Sequence, residues 1–496
     1  MAQAVTQDTF SAEETARFSA RLGTQLQQLR DVVARPGFGV GPTTLGAELE
    51  LSIIDPFGAP CAVNRAILAA VDDPHLTFEI DRFNLEYNLT PVPARGRPFS
   101  AMQAEMERAL TAINARARAL DAQVTTIGIL PTVTLDDLGP GNLTDLPRYR
   151  ALAAALRRLR PEPLDVRLHG AEPLHFTCDD VAVEGANTSF QLHLRVPAAD
   201  YAAHYNAAQL ATAIVLAVSG NSPILLGHQL WEETRIALFK KVMEVRTADE
   251  LAWHRPARVA FGHGWVRHSA AELFAEAVTF FPPILPICSA AEADGAAAPA
   301  LRELRLHNGT VWRWNRAIYD PEDGGHLRIE LRALPAGPTP IDMMANAALL
   351  IGLTVGLATQ HEPPLEWLLD SIPFSVAETN FYRAARDGLE ARLLWPVGAL
   401  ASPTEQAVPA LVTALLPLAA VGLDAIGVEP DELRRLLTVI EARVRSGQTG
   451  ARWQRRALAA FEARGADRST ALHELVRAYT SRSASGTPVH LWDLPA

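Results

Sequence analysis

From Thr44 onward the chain alternates with a period of two: Leu45, Ala47, Leu49, Leu51 and Ile53 are apolar, and Gly46, Glu48, Glu50 and Ser52 lie between them. Successive side chains on a strand point to opposite faces, so this segment predicts a strand with one core-facing and one polar face. Residues 76–89 (LTFEIDRFNLEYNL) continue the theme, with Glu86 and Asn88 opposite Leu85, Tyr87 and Leu89, and Glu79 and Asp81 earlier in the stretch. Residues 189–196 set Ser189, Gln191, His193 and Arg195 against Phe190, Leu192, Leu194 and Val196. Residues 327–334 set Arg328, Glu330 and Arg332 against Leu327, Ile329 and Leu331. Further strands are predicted at 124–130, 166–177 and 310–314.

Helices punctuate these strands. Ser11 and Glu14 have capping-box spacing and open a helix that Pro36-Gly37 must break. Others are expected from Ser100, over 148–159, and over 207–219, where Gly220-Asn221-Ser222-Pro223 ends the last. Beyond Pro340 the pattern is mainly helical, and 289–300 (SAAEADGAAAPA) reads as a loop of small residues. Near the end, Ser446-Gly447-Gln448-Thr449-Gly450 reads as a loop before an amphipathic helix that carries Trp453, Gln454 and Arg455. Strands scattered among helices without regular alternation predict an α+β fold.

Composition narrows the function. The chain has 496 residues, with 45 basic against 56 acidic side chains and a formal net charge of −11. Without a basic run, that balance argues against nucleic acid or an anionic membrane as partner and leaves small molecules. Lys240 and Lys241 are the only lysines, and no glycine-rich phosphate loop precedes them, which excludes a P-loop and disfavours Schiff-base chemistry. Cys61, Cys178 and Cys288 are too scattered for a disulfide framework or thiolate zinc site, so a reducing, cytoplasmic setting is expected. The first residues lack a signal-peptide pattern. The longest apolar stretches, 347–358 and 210–218, fall short of the roughly 18 residues of a membrane span and predict buried helices.

Glu48 and Glu50 sit on one strand face, roughly 6 to 7 Å apart by strand geometry. Each polar face alone is compatible with a solvated sheet surface or a salt-bridge ladder. If the strands share a sheet, however, five carboxylates and one imidazole converge with several arginines. Hard divalent cations take carboxylate oxygens and are completed by phosphates, so two or three Mg²⁺ ions holding a polyphosphate suit this set better than zinc, which would call for more His or Cys. Arg332 and Arg328 would neutralise phosphoryl oxygens.

These residues resemble the glutamate-cysteine ligase type 2 group of carboxylate-amine ligases, within the glutamine synthetase superfamily. The resemblance is carried by Gly46-x-Glu48-x-Glu50, the segment ending Glu86-Tyr87-Asn88-Leu89-Thr90-Pro91, Gln191-Leu192-His193, the Asn221-Ser222-Pro223 turn and Ile329-Glu330-Leu331-Arg332, in order over about 44–345. It implies a curved, mainly antiparallel sheet forming a funnel, with helices on its outer side and a helical C-terminal extension. It also implies metal ligation by Glu48, Glu50, Glu79, Glu86, His193 and Glu330, with Mg²⁺, or Mn²⁺ in its place. Arg332 would contact the γ-phosphate of ATP, and Arg235 and Arg316 the substrate carboxylate or phosphates. The chain departs from the group at Asn187-Thr188-Ser189-Phe190 and in its tail of about 150 residues. The expected division is an N-terminal helical segment (1–43), a catalytic domain (44–360) and a helical region packed on it (361–496). The expected activity is ATP-dependent joining of glutamate's γ-carboxylate to cysteine's amine through an acyl phosphate. A ligase of another acid or amine, a metal-dependent hydrolase and a non-catalytic nucleotide-binding protein are the alternatives.

Overall fold

The computed structural model describes residues 9–160, 162–178, 181–289, 298–360, 362–398 and 402–495. Among the described residues, seven strands build the main sheet: β1 (Thr44–Ile54), β2 (Leu76–Phe78), β3 (Asn84–Pro93), β4 (Gln123–Thr125), β5 (Phe190–Val196), β6 (Asn315–Asp320) and β7 (His326–Leu331). Their order is β6-β7-β5-β1-β3-β2, every pairing is antiparallel, and β4 pairs with the C-terminal end of β1. The sheet is open, and helix outweighs strand at 52% against 17%, which bears out the α+β reading.

Alternation decides what each face meets. Leu45, Leu49, Leu51, Leu85, Phe190, Leu192, Leu194, Ile329 and Leu331 are all buried on one side in a single core. Helices α1 (Ala12–Val33), α2 (Pro98–Ala117), α3 (Tyr201–Ser219) and α4 (Pro340–Thr359) contribute to that core. Burying these aliphatic side chains contributes about 1.5 to 3 kcal/mol each. Tyr205 ties α3 to the sheet edge, its hydroxyl donating to the Asn315 carbonyl at 2.7 Å.

Several expected boundaries move. Residues 76–89 form two strands, because the backbone at Ile80 and Arg82 pairs with Thr144 and Asn142 instead of continuing the ladder. Glu79 and Asp81 therefore lie on a turn. Only Val124 and Thr125 of the 124–130 stretch join the sheet, in β4; the Gly128 backbone instead pairs with Asn221 and Thr188. The 166–177 stretch is a separate hairpin, Leu164–His169 with Pro173–Cys178. Residues 310–314 precede β6, and Trp312 and Trp314 pair with the 258–260 loop. Helix α3 begins earlier than expected, at Tyr201, and a hairpin of Arg392–Trp395 with Thr404–Ala407 interrupts the helical tail. Of the expected 289–300 loop, residues 290–297 lie outside the described residues.

The membrane-length reading also needs correction. Among the described residues, α4, which extends beyond the 347–358 run, and α5 (Val408–Ala425), where no such run was singled out, are long and apolar enough to cross a membrane. Most of α4, 94% of its apolar window, is buried inside the molecule, whereas 33% of the corresponding window of α5 is.

After α6 (Pro430–Ser446), helices α7 (Gly450–Ala463) and α8 (Arg468–Ala484) close on the turn that ends α3. Thr449 caps α7 by accepting from the Arg452 N–H at 3.2 Å. Gln454 of α7 donates to the Asn221 carbonyl at 3.1 Å and to its side-chain oxygen at 2.9 Å. The Asn221 side chain donates to the hydroxyl of Tyr479 in α8 at 2.7 Å. The Gly447–Gly450 turn and its neighbours are thus a structural clasp.

Candidate active site

Sheet register brings the polar residues together in rows. Glu330 lies between Arg316 on β6 and His193 on β5, and His193 faces Gly46 on β1. One step along, Glu48 lies between Gln191 and Asn88. The next step pairs Glu50 with Glu86, which faces Thr77 on β2. Residues almost 300 positions apart therefore share one surface.

Glu48, His193 and Glu330 form the tightest group, with one donor atom from each within 4.8 Å of the others. His193 Nε2 is 2.9 Å from Glu48 Oε1 and 3.9 Å from Glu330 Oε1. Two carboxylate oxygens and one imidazole nitrogen at this spacing fit a single hard divalent cation. Glu330 is 2% exposed and is gripped bidentately by Arg316, at 2.6 Å from Nε and 2.9 Å from Nη2. Arg332 approaches it from the same strand at 3.3 Å. Burial opposes ionisation of Glu330, but Arg316, Arg332 and His193 outweigh it and hold the carboxyl far below the usual carboxylate range. Burial likewise opposes ionisation of Glu48, and His193 together with Arg332 brings it below its ordinary value.

The other acids differ. Glu50 accepts the Ser189 N–H at 2.6 Å, the Ser189 hydroxyl at 2.7 Å and the Gln191 amide at 2.9 Å. Burial still raises its carboxyl above the ordinary value. Glu86 accepts from the Asn88 amide at 2.8 Å, yet burial and then Glu48, Glu79 and Glu50 drive its carboxyl well upward. Glu79, on the turn after β2, takes the N–H of Ile80 at 2.9 Å; burial and Glu50 push its carboxyl up to about 7. Glu50, Glu79 and Glu86 thus form a mutually repelling second group beside the first, short of positive charge.

Arg332 donates to the side-chain oxygen of Gln191, the same amide that holds Glu50, so one glutamine links the two groups. Arg328, two residues before Glu330 on this face, pairs instead with Asp320 at 3.1 Å. Arg235 is 3% exposed, bonded through Nη1 to Glu233 at 3.0 Å and to the Ala333 carbonyl at 3.2 Å. It lies close enough to lower the carboxyls of Glu50 and Glu184.

Two features escaped the sequence pattern. Glu184, on the single turn Val181–Ala186, joins the acids; burial and Glu50 push its carboxyl up to about 8, against Arg332 and Arg235. Its one signal was a lone carboxylate inside the small apolar run VAVEGA. Beside Arg316, a cavity of about 740 Å³ is lined by Arg148, Arg302, Arg305 and Arg316 over Leu152, Phe274 and Trp312. Its arginines come from three separate segments, which no local motif could join.

The chain resembles known ligases. The glutamate-cysteine ligase family 2 matches residues 44–478. No curated protein matches it by sequence. Among solved structures, glutamate–cysteine ligase from Francisella tularensis in complex with AMP is 11% identical, with a TM-score of 0.56, 92% of this chain and 91% of that one being covered. A bifunctional glutathione synthetase from Pasteurella multocida is 12% identical over 95% of this chain and 55% of its own, with a TM-score of 0.44. The first likeness establishes a shared fold, and the family match spans the whole polar sheet face and most of the C-terminal helices. With Glu48, His193 and Glu330 converging inside that span, the chain belongs to glutamate-cysteine ligase family 2 and is a carbon–nitrogen ligase.

Proposed function

We propose that the protein joins the γ-carboxylate of glutamate to the amino group of cysteine at the expense of ATP. The observation that carries this reading is Glu330, buried between Arg316 and Arg332 and within reach of Glu48 and His193. In that arrangement an acid that can hold a cation stands next to two guanidinium groups that can hold phosphoryl oxygens.

The donor set suits Mg²⁺ or Mn²⁺: Glu48, His193 and Glu330 would hold one ion, and Glu50, Glu79 and Glu86 would hold one or two more. Bound there, the ions supply charge neutralisation for the transferring phosphoryl group. Arg332 presents its fork to the γ-phosphoryl oxygens, held in place by Gln191 and Glu330. Arg316 does the same from the edge strand. The arginines and apolar wall of the neighbouring cavity suit the phosphates and base of a nucleotide. Arg235, fixed by Glu233, serves the substrate's α-carboxylate.

A carboxylate oxygen of the acid attacks the γ-phosphorus and the bond to ADP breaks. The neutral amine then attacks the acyl carbon, inorganic phosphate leaves, and the nitrogen gives up its proton. No protein nucleophile takes part. Residues 44–360 form the catalytic unit in this reading, with 361–496 packed upon it.

The test is an ADP-release screen over pairs of amino acids with Mg²⁺ and ATP. Release that requires glutamate and cysteine together is expected. Release with water alone would establish a hydrolase, and release with another pair would reassign the substrates.

A further inference from the structure

Glu184 is held rigidly and lacks a cation of its own. The turn that carries it is fixed at its end by Asn187, whose N–H and side-chain amide both donate to the Glu184 carbonyl at 2.9 Å. Gly185 packs against the side chains of Ile80 and Asp81, where an added Cβ would come within 2.3 Å of Asp81 Oδ2, so the turn is closely seated there. Thr188 and Ser189, just beyond, are anchored to Gly128 and Glu50. All its neighbours on the turn are buried, whereas Glu184 itself is only half-buried. Among the described residues no donor reaches its carboxylate.

The surroundings of Glu184 are asymmetric. Glu50 repels it, while Arg332 and Arg235 lie close enough to favour its charge. Arg235 is almost wholly buried, and its Nε is without a hydrogen-bond partner among the described residues. A fixed carboxylate and a fixed guanidinium thus stand together at the Glu50 end of the polar face, away from the Arg316 edge. A half-buried carboxyl near a buried guanidinium with a spare donor suits a zwitterion, whose ammonium and carboxylate match them in turn.

We infer that Glu184 is a specificity-determining residue that takes the α-ammonium of the acid substrate while Arg235 takes its α-carboxylate. This inference rests on the ligase reading. It gives a carboxyl outside the sheet a task in an already repelling cluster: an acid without an amino group offers Glu184 no ammonium and binds more weakly.

The experiment compares glutamate with glutarate, the same diacid lacking the amino group, by titration calorimetry with Mg²⁺ and a non-hydrolysable ATP analogue. Wild-type protein should prefer glutamate. Glu184→Gln should weaken glutamate by about tenfold or more, on the scale of one lost charge-assisted hydrogen bond, while leaving glutarate within about twofold. Glu184→Asp, which retains the charge, should recover part of the preference. Mg²⁺ affinity, titrated separately, should stay the same in all three proteins. Equal weakening of both diacids, weaker Mg²⁺ binding in Glu184→Gln, or a wild-type protein that does not prefer glutamate would overturn the assignment. Because the readout is binding, it stands apart from the ligase reading, which fails instead if no acid and amine pair releases ADP.

Discussion

Glu330 and Glu86 face the same surface with opposite balances of charge. Glu330 has Arg316 and Arg332 beside it, whereas Glu86 has three carboxylates and one amide. Glu330→Gln should therefore destabilise the metal-free protein by about 3 kcal/mol, the scale of leaving one partner of a buried ion pair uncompensated. Glu86→Gln should raise its stability by relieving repulsion. Urea melts in the presence of a chelator check both signs, and ADP release should collapse in both variants. The arginine grip on Glu330 is what reverses the sign at that position. Arg332 and Arg328 divide similarly. Arg332 meets Gln191 and Glu330, so Arg332→Lys, which loses the fork, should lower kcat by about 10² with a small change in KM for ATP. Arg328 serves Asp320, and Arg328→Lys should be mild in the same assay. Equal effects at both positions would remove Arg332 from phosphoryl transfer.

At the scale of elements, the turn between α3 and the segment carrying Arg235 depends on helices far along the chain. Asn221 donates its N–H to Glu233 at 2.9 Å, and Glu233 in turn holds Arg235. Gln454 and Tyr479 secure Asn221 from α7 and α8. Gln454→Ala would leave the buried side-chain oxygen of Asn221 without its donor and should cost about 1 to 3 kcal/mol. The expected signature is a lower melting temperature and a raised KM for the acid substrate, with KM for ATP unchanged. A change confined to KM for ATP would contradict the route through Glu233 and Arg235. The strands β1, β5 and β7 were legible because each alternates cleanly over six or more residues. The turn at Glu79, the hairpin within 166–177 and the start of β6 were not, since backbone partners at Thr144, Ala260 and elsewhere set where pairing stops.

For the molecule as a whole, raised carboxyls link stability to pH. The folded state holds Glu79 at about 7 and Glu184 at about 8, both above the ordinary carboxylate value of an unfolded chain. Between that ordinary value and about 8 these two carboxyls bind more protons in the folded protein than in the unfolded one, while His263 and His307, which burial holds at about 4, act the other way at the acidic end. Stability is thus fully present at low pH within this window and is lost as pH rises through the folded values. Metal-free protein should melt at a lower temperature near pH 8 than near pH 5, and Mg²⁺ should restore most of the difference at the higher pH. Thermal melts with chelator and with Mg²⁺ measure this directly; a rise in melting temperature with pH would contradict it. The net charge of −11 acts in the same direction by adding self-repulsion as pH rises.

What the sequence determined alone is the content of each face: alternation at Glu48 and Glu50, at His193, and at Glu330 and Arg332 places those side chains on polar sides whatever the strand order. The order of the same short motifs also pointed to the family. Only the tertiary structure decided which faces meet. The antiparallel order β6-β7-β5-β1-β3-β2 sets Glu330 against His193 and Glu50 against Glu86, and it leaves Arg316 gripping Glu330 from the edge. Periodicity reaches only a few residues along the chain, whereas the pairing of Glu330 with His193 closes a loop of more than a hundred residues and depends on how the whole core packs. Glu184 and the cavity's Arg148, Arg302 and Arg305 lie on a turn and on helices outside the alternating pattern, so the folded chain alone brings them to the site.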